Sequence, residues 1–197
     1  MAEFLTLLKS RKTTYEYSSR AVSDAALGKI LEAARWSPSF LNLQPWEFVV
    51  VKEKESVVEL LKAAYYGVFS YNDYKGEPPV AVAIVLKKRY WEGQYGYPRR
   101  DKPGIFEAYL SIAMPAMNMA LQAEELGISS SILNVNSYVA ERCLKLKGGD
   151  TAPLLVCLGY EKPGAREKKR TRKSLESIVH YGHCGTDGQA SSCMRKN

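Results

Sequence analysis

Residues 79–86 read Pro-Val-Ala-Val-Ala-Ile-Val-Leu, without one polar side chain. A strand with one face in water alternates apolar and polar residues, so a run with no alternation predicts a central strand covered on both faces. A chain carrying such a strand has to supply layers on either side of it, and 197 residues suffice for one domain with a sizeable core. The β-branched run Phe48-Val-Val-Val51, residues 128–135 and Leu154-Leu-Val-Cys-Leu-Gly-Tyr160 read as further strands, with helical patterns between them. The expectation is a sheet flanked by helices in a mixed α and β domain.

The helical patterns are uneven in clarity. Phe4, Leu5, Leu7 and Leu8 suggest a short opening helix. Ser23 can cap the next, Asp24 suits its positive end, and Leu27, Ile30, Leu31 and Ala34 recur at helical spacing until Pro38 stops it. Residues 37–46 then form a loop. Residues 55–65 and 139–146 predict two more helices, and 105–126 the longest one, with Gly127 as its terminator. Phe106, Leu110, Ala113, Met114, Met117 and Leu121 form an apolar stripe expected to face the core, the methionines as filler, and Pro115 predicts a kink or a break. Residues 90–103, rich in aromatics, glycine and basic side chains, form a long loop of the kind that often carries function. The Gly, Ser and Asp-containing stretch 182–197 reads as a disordered tail.

The formal charge of +7 is concentrated. Residues 87–102 hold six basic and two acidic side chains and residues 161–173 hold seven and two, which exceeds the total and leaves the rest slightly acidic. Such patches could grip a nucleic-acid backbone, hold a small phosphorylated ligand, or simply be solvated. Apolar residues at 46% and charged residues at 25% exclude collagen, coiled coil and wholesale disorder. No run reaches the roughly 18 apolar residues of a membrane span, and the first ten residues are too short and too acidic for a secretion signal, so no membrane and a cytoplasmic location are expected. Cys143 and Cys157 lie in apolar stretches and read as buried thiols, while Cys184 and Cys193 lie in the tail.

No resident catalyst is legible. The only histidines are His180 and His183, no Gly-x-Ser-x-Gly or His-Glu-x-x-His occurs, and Walker and Gly-x-Gly-x-x-Gly loops are missing. His180, His183, Cys184 and Cys193 are spaced too irregularly for a metal site, and none is expected. What remains suits the holding of a cofactor. Ser10-Arg11-Lys12-Thr13-Thr14 offers guanidinium, ammonium and hydroxyl groups for a phosphate. Pro38-Ser39-Phe40-Leu41-Asn42 offers hydroxyl, amide and backbone donors, Asn72 and Lys75 could face together, and Arg170-Thr-Arg172 sets two guanidiniums on one side of an extended chain.

The order of these segments resembles the flavin-dependent nitroreductase family. Residues 10–17 resemble its opening Arg-x-Ser-x-(Arg/Lys)-x-Phe signature, and Pro38-Ser-Phe-Leu-Asn-Leu-Gln-Pro-Trp-Glu-Phe48 its Pro-Ser-x-x-Asn-x-Gln-Pro-Trp-x-Phe block. Residues 120–127 resemble the Ala-x-x-Leu-Gly end of its long central helix. Leu158-Gly-Tyr160 with Arg170-Thr-Arg172 through Val179 resembles its finish. Tyr15 departs by standing where many members carry a second Lys or Arg, and Ser129-Ser-Ser-Ile-Leu-Asn134-Val135 occupies the region of their Glu-Gly.

The resemblance implies an α+β fold: a nitroreductase-like three-layer α/β/α sandwich with a central mixed, mainly antiparallel sheet, forming an interlocked homodimer. One FMN-binding domain would span 1–181. By the same resemblance Arg11, Arg170 and Arg172 hold the FMN phosphate with Lys12 and Thr13 beside it, and Pro38, Ser39, Phe40 and Asn42 approach the flavin from the other subunit. Asn72 meets the pyrimidine edge, Lys75 supports charge on the reduced flavin, and Asn134 offers a backbone donor to the ring. The implied activity is a ping-pong oxidoreductase taking hydride from NAD(P)H and passing electrons to a small acceptor such as a nitroaromatic or quinone, the chemistry being carried by the flavin. Two alternatives stand beside it. A flavin-binding sensor or a dehalogenase-like relative would keep the fold, and a single-stranded nucleic-acid module would use Tyr90, Trp91, Tyr95 and Tyr97 among the basic residues of 87–102. The second leaves the Pro-Ser-x-x-Asn-x-Gln-Pro-Trp block unexplained.

Overall fold

The computed structural model describes residues 3–64, 76–90, 105–166 and 170–182. The chain divides into two compact units, Met1–Ala165 and Arg166–Asn197. The first carries every strand and α-helix described: α1 Phe4–Ser10, α2 Asp24–Arg35, β1 Trp46–Val51, α3 Lys54–Lys62, β2 Val80–Leu86, α4 Ile105–Glu125, β3 Ser129–Asn134, α5 Ser137–Cys143 and β4 Thr151–Gly159. In the second, the described residues hold a single 3-10 turn, Leu175–Ser177, closed by the Ser177 hydroxyl donating to the Ser174 carbonyl at 2.8 Å.

The sheet runs β1-β2-β4-β3 with all three pairings antiparallel, and Val82 is set between Val50 and Val156. An isolated parallel bridge joins Thr13 to Ser130. Every residue of β2 is buried, as its unbroken apolar run requires. Val80, Val82, Ile84 and Leu86 pack in a cluster with residues of α2 and α4, while Ala81, Ala83 and Val85 pack with residues of α3 and α5. The result is the three-layer α/β/α arrangement. Each of the larger β2 side chains is worth about 1.5–3 kcal/mol for leaving water, which makes this strand the energetic centre of the unit.

The helices begin and end for local reasons. The Ser23 hydroxyl accepts from the Ala26 amide at 3.2 Å, capping α2, and Leu27, Ile30 and Ala34 form its buried face. Gly127 takes φ +70, and the Ile128 amide reaches back to the Ala123 carbonyl at 2.8 Å, closing α4 as expected of a glycine terminator.

The break that Pro115 could have brought to α4 does not occur, and the expected facing of the helix is corrected. The helix runs on through Pro115 without a break. A proline there removes one backbone hydrogen bond and clashes with the preceding turn. Packing on the core outweighs that local cost, for Ile112, Pro115, Ala116 and Met119 are all buried. The stripe expected to be core also faces the other way: Leu110, Met114 and Met117 are 54%, 47% and 36% exposed, and the core-facing methionine is Met119. Both sides of the helix are apolar, so periodicity alone could not choose between them. Among the described residues, no helix is long and apolar enough to cross a membrane.

Candidate functional site

The segment after α1 is held against the β3 edge of the sheet, where Thr13 bridges to Ser130. Thr14 and Tyr17 point inward and are buried, with the Thr14 amide donating to the Ser130 carbonyl at 3.0 Å and the Tyr17 amide to the Gly76 carbonyl at 3.3 Å. The Tyr17 and Ser131 hydroxyls share a hydrogen bond at 3.1 Å; burial, and then the nearby Cys157, push the phenol well above its ordinary range. Those anchors leave Arg11, Lys12 and Thr13 at the accessible start of the segment. Arg11 is half-buried and its amide ends α1 on the Leu7 carbonyl at 3.2 Å. Thr13 is exposed, and Lys12 is engaged, its ammonium 2.7 Å from the Glu161 carboxylate. Beneath them the Thr14 and Ser130 hydroxyls are buried with no hydrogen-bond partner.

The loop after α2 has a different character. Leu41, Asn42 and Gln44 adopt φ of 48°, 54° and 47°. Left-handed backbone costs an L-residue other than glycine about 1–2 kcal/mol, asparagine less. Hydrogen bonds hold this shape. The Ser39 hydroxyl accepts from the Gln44 amide at 2.9 Å, the Asn42 amide donates to the Ser39 carbonyl at 3.0 Å, and the Gln44 side-chain amide donates to the Asn42 side-chain oxygen at 3.2 Å. Helix α4 grips the loop from outside: the Asn118 amide donates to the buried Ser37 hydroxyl at 2.8 Å, and the Phe40 amide donates to the Ser111 hydroxyl at 3.3 Å. Pro38 and Asn42 remain exposed, as does Leu41, while Ser39 and Phe40 are half-buried.

The exit of the loop is pinned by an ion-pair cluster. The Lys87 amide donates to the Pro45 carbonyl at 3.1 Å, and its ammonium lies 2.5 Å from Asp150 and 3.2 Å from Glu47. Asp150 also accepts from the Lys88 amide at 2.9 Å. Burial pushes the Asp150 carboxyl up, but the hydrogen bonds from Lys87 and Lys88 outweigh it and hold the group below its ordinary range; Asp150 in turn raises Lys87. Ser111, Asn118 and Asp150 were not singled out from sequence, and Lys87 was read only as part of the 87–102 basic patch. The one signal for the first two was polarity interrupting the otherwise apolar run of α4.

Of the other expected residues, Asn134 is exposed at the end of β3. Asn72 and Lys75 lie outside the described residues, as do residues 91–104, His183, Cys184 and Cys193. Arg170 and Arg172 belong to the second unit and are exposed, with the Arg172 guanidinium donating to the Thr171 carbonyl at 2.8 Å. A cavity of about 460 Å³ opens between the 17–22 segment, the β1–α3 connection and the start of β2, but none of residues 11–13 or 38–42 lines it. The candidate groups that the structure describes are therefore cationic, hydroxyl and strained backbone groups.

The family model described as the nitroreductase family matches residues 8–160, more than three quarters of the chain. The chain belongs to the nitroreductase family. As a nitroreductase family member it is an oxidoreductase. It is 30% identical over 187 residues to YodC of Bacillus subtilis, provisionally named an NAD(P)H nitroreductase, covering 92% of this chain and 85% of that one. A 67-residue stretch is 39% identical to an Archaeoglobus fulgidus protein provisionally named an NADH dehydrogenase/NAD(P)H nitroreductase, covering 34% of this chain and 38% of that relative's length. In fold, this nitroreductase family member superposes on a Clostridium difficile protein titled an FMN-dependent nitroreductase with a TM-score of 0.72 at 23% identity, covering 92% of this chain and all of the other. The Pro38–Phe48 block lies within the matched range, so the strained loop belongs to the part of the chain the family defines.

Proposed function

We propose that this protein is a cytoplasmic, homodimeric NAD(P)H-dependent flavin oxidoreductase that uses FMN and acts on a small acceptor such as a nitroaromatic or quinone by alternate reduction and oxidation. The observation that carries the reading is the loop at 37–45: a family-matched segment whose left-handed backbone is held by α4 and leaves Pro38 and Asn42 open to a ligand. Names of relatives support the same chemistry, YodC for NAD(P)H and the Clostridium difficile protein for FMN.

The donor set fits a phosphorylated flavin. Arg11 is a half-buried arginine and Thr13 an exposed threonine two residues on, a combination suited to a dianion. Lys12, committed to Glu161, contributes as a neighbouring charge. Arg170 and Arg172 join the phosphate-binding set on the strength of their sequence motif, as Asn72, Lys75 and Asn134 join the ring-binding set, with Pro38, Ser39, Phe40 and Asn42 coming from the other subunit. When bound, FMN would supply the hydride-accepting and electron-donating chemistry that this chain's side chains lack. The chain's own share is to bind, to orient and to exclude water. The outward stripe Leu110, Met114 and Met117, with Phe4 and Leu5 exposed on α1, which packs against the same helix, supports a second copy as the cover.

An absorbance spectrum of the purified protein, followed by FMN titration and by NADH and NADPH oxidation with and without a quinone, tests the reading. A flavin spectrum and acceptor-dependent turnover are expected. Protein that neither carries nor takes up FMN overturns it, and flavin binding without turnover turns it into a store or sensor.

A further inference from the structure

We propose that Ser111 and Asn118 of α4 are positioning residues that hold the 37–44 loop in its left-handed form, and that flavin affinity depends on this clamp. The inference rests on the functional reading above. The two residues are seven apart, two helical turns, so they share one face and lie about 10 Å from each other along the axis. They meet the loop at two points, Phe40 and Ser37. Each is itself oriented: the Ser111 hydroxyl donates to the Glu107 carbonyl at 2.7 Å and so presents its lone pair to the Phe40 amide, and the Asn118 amide also donates to the Ala33 carbonyl at 3.3 Å. Ser111 and Ser37 are each 5% exposed, so water cannot readily replace either bond.

Just beyond these two tethers the backbone turns left-handed at Leu41, Asn42 and Gln44, none of them glycine. A segment of ordinary residues leaves that region when nothing over-determines it. The bonds inside the loop, Ser39 to Gln44 and Gln44 to Asn42, are too local to fix where the turn sits on the molecule. The α4 bonds supply that reference. They also make the loop's shape depend on the helix that carries the outward stripe Leu110, Met114 and Met117.

The test uses the full chain and compares wild type, Ser111→Ala with Asn118→Ala, and Ser111→Thr, which keeps the hydroxyl. FMN affinity is read by quenching of flavin fluorescence, and amide hydrogen exchange is read on the flavin-free protein. The double variant is expected to bind FMN at least tenfold more weakly, with exchange at Phe40 and Gln44 at least tenfold faster while residues 119–123 of α4 keep wild-type protection. Ser111→Thr is expected to stay close to wild type in both. Wild-type affinity and wild-type exchange at Gln44 in the double variant overturn the proposal, and so does exchange that rises equally along α4, since that marks general destabilisation. A wild-type chain that binds no FMN sinks the functional reading and with it the dependence of flavin affinity, and the exchange arm then judges the clamp alone.

Discussion

Helix α4 has two apolar faces with opposite fates. Ile112, Ala116, Met119 and Ala123 are all but sealed by α2 and the sheet, whereas Leu110, Met114 and Met117, drawn from the same residue types, stand a third to a half exposed. Composition does not separate them. What separates them is a partner among the described residues: α2 and the sheet complete the inner face, and the outer one stays open there. A helix apolar all round has the pattern of a buried one, and the outer face is where the proposed second copy would pack.

Three variants break or sharpen that contrast. On the inner face, Met119→Ala removes a fully buried side chain and should cost about 2–5 kcal/mol in chemical denaturation, by the same amount at every protein concentration. On the outer face, Met114→Glu with Met117→Glu should raise the dissociation constant of the proposed dimer at least thirtyfold, roughly what loss of a central interface anchor brings, while leaving the fold of the chain intact. Sedimentation at several concentrations checks it, and an unchanged dimer would place the interface elsewhere. The smallest effect belongs to a contact internal to the chain and away from α4. The side chains of Lys87 and Asp150 are 21% and 16% exposed, and Asp150→Asn should cost about 2 kcal/mol at neutral pH. Because the folded structure holds the Asp150 carboxyl below its ordinary value, its contribution is present above about pH 4 and fades as pH falls through the lowered folded value. The deficit of the variant should shrink on that acid side, as urea curves at pH 7 and pH 3 will report.

Much of the fold was legible because it rests on short-range rules. The unbroken apolar run of β2, the Ser23 cap and the Gly127 terminator each act within a few residues, and each appears as expected. The facing of α4 was not legible, because a periodicity with two apolar sides carries no direction. Nor was its passage through Pro115, where burial overrides a local penalty. In the site, the Pro38–Asn42 segment was readable as an ordered group of donors, but its left-handed turns were not, since Leu41 and Gln44 bear no glycine signal. Ser111 and Asn118 lie about seventy to eighty residues beyond the loop they hold, and no spacing rule links them to it.

Sequence by itself determined the class of the protein: a strand buried on both faces, helices to cover it, a basic segment and a proline-bounded loop in the order of the nitroreductase family, and no acid/base pair of its own. The tertiary structure decided which face of α4 is core and which is open, that Lys12 is spent on Glu161, and that a loop of ordinary residues is kept in strained backbone. The reason is physical. Local propensity and burial pattern are encoded in neighbours along the chain, while the facing of a two-sided helix, the pairing of charges and the support of strain depend on groups brought together only when the chain has packed.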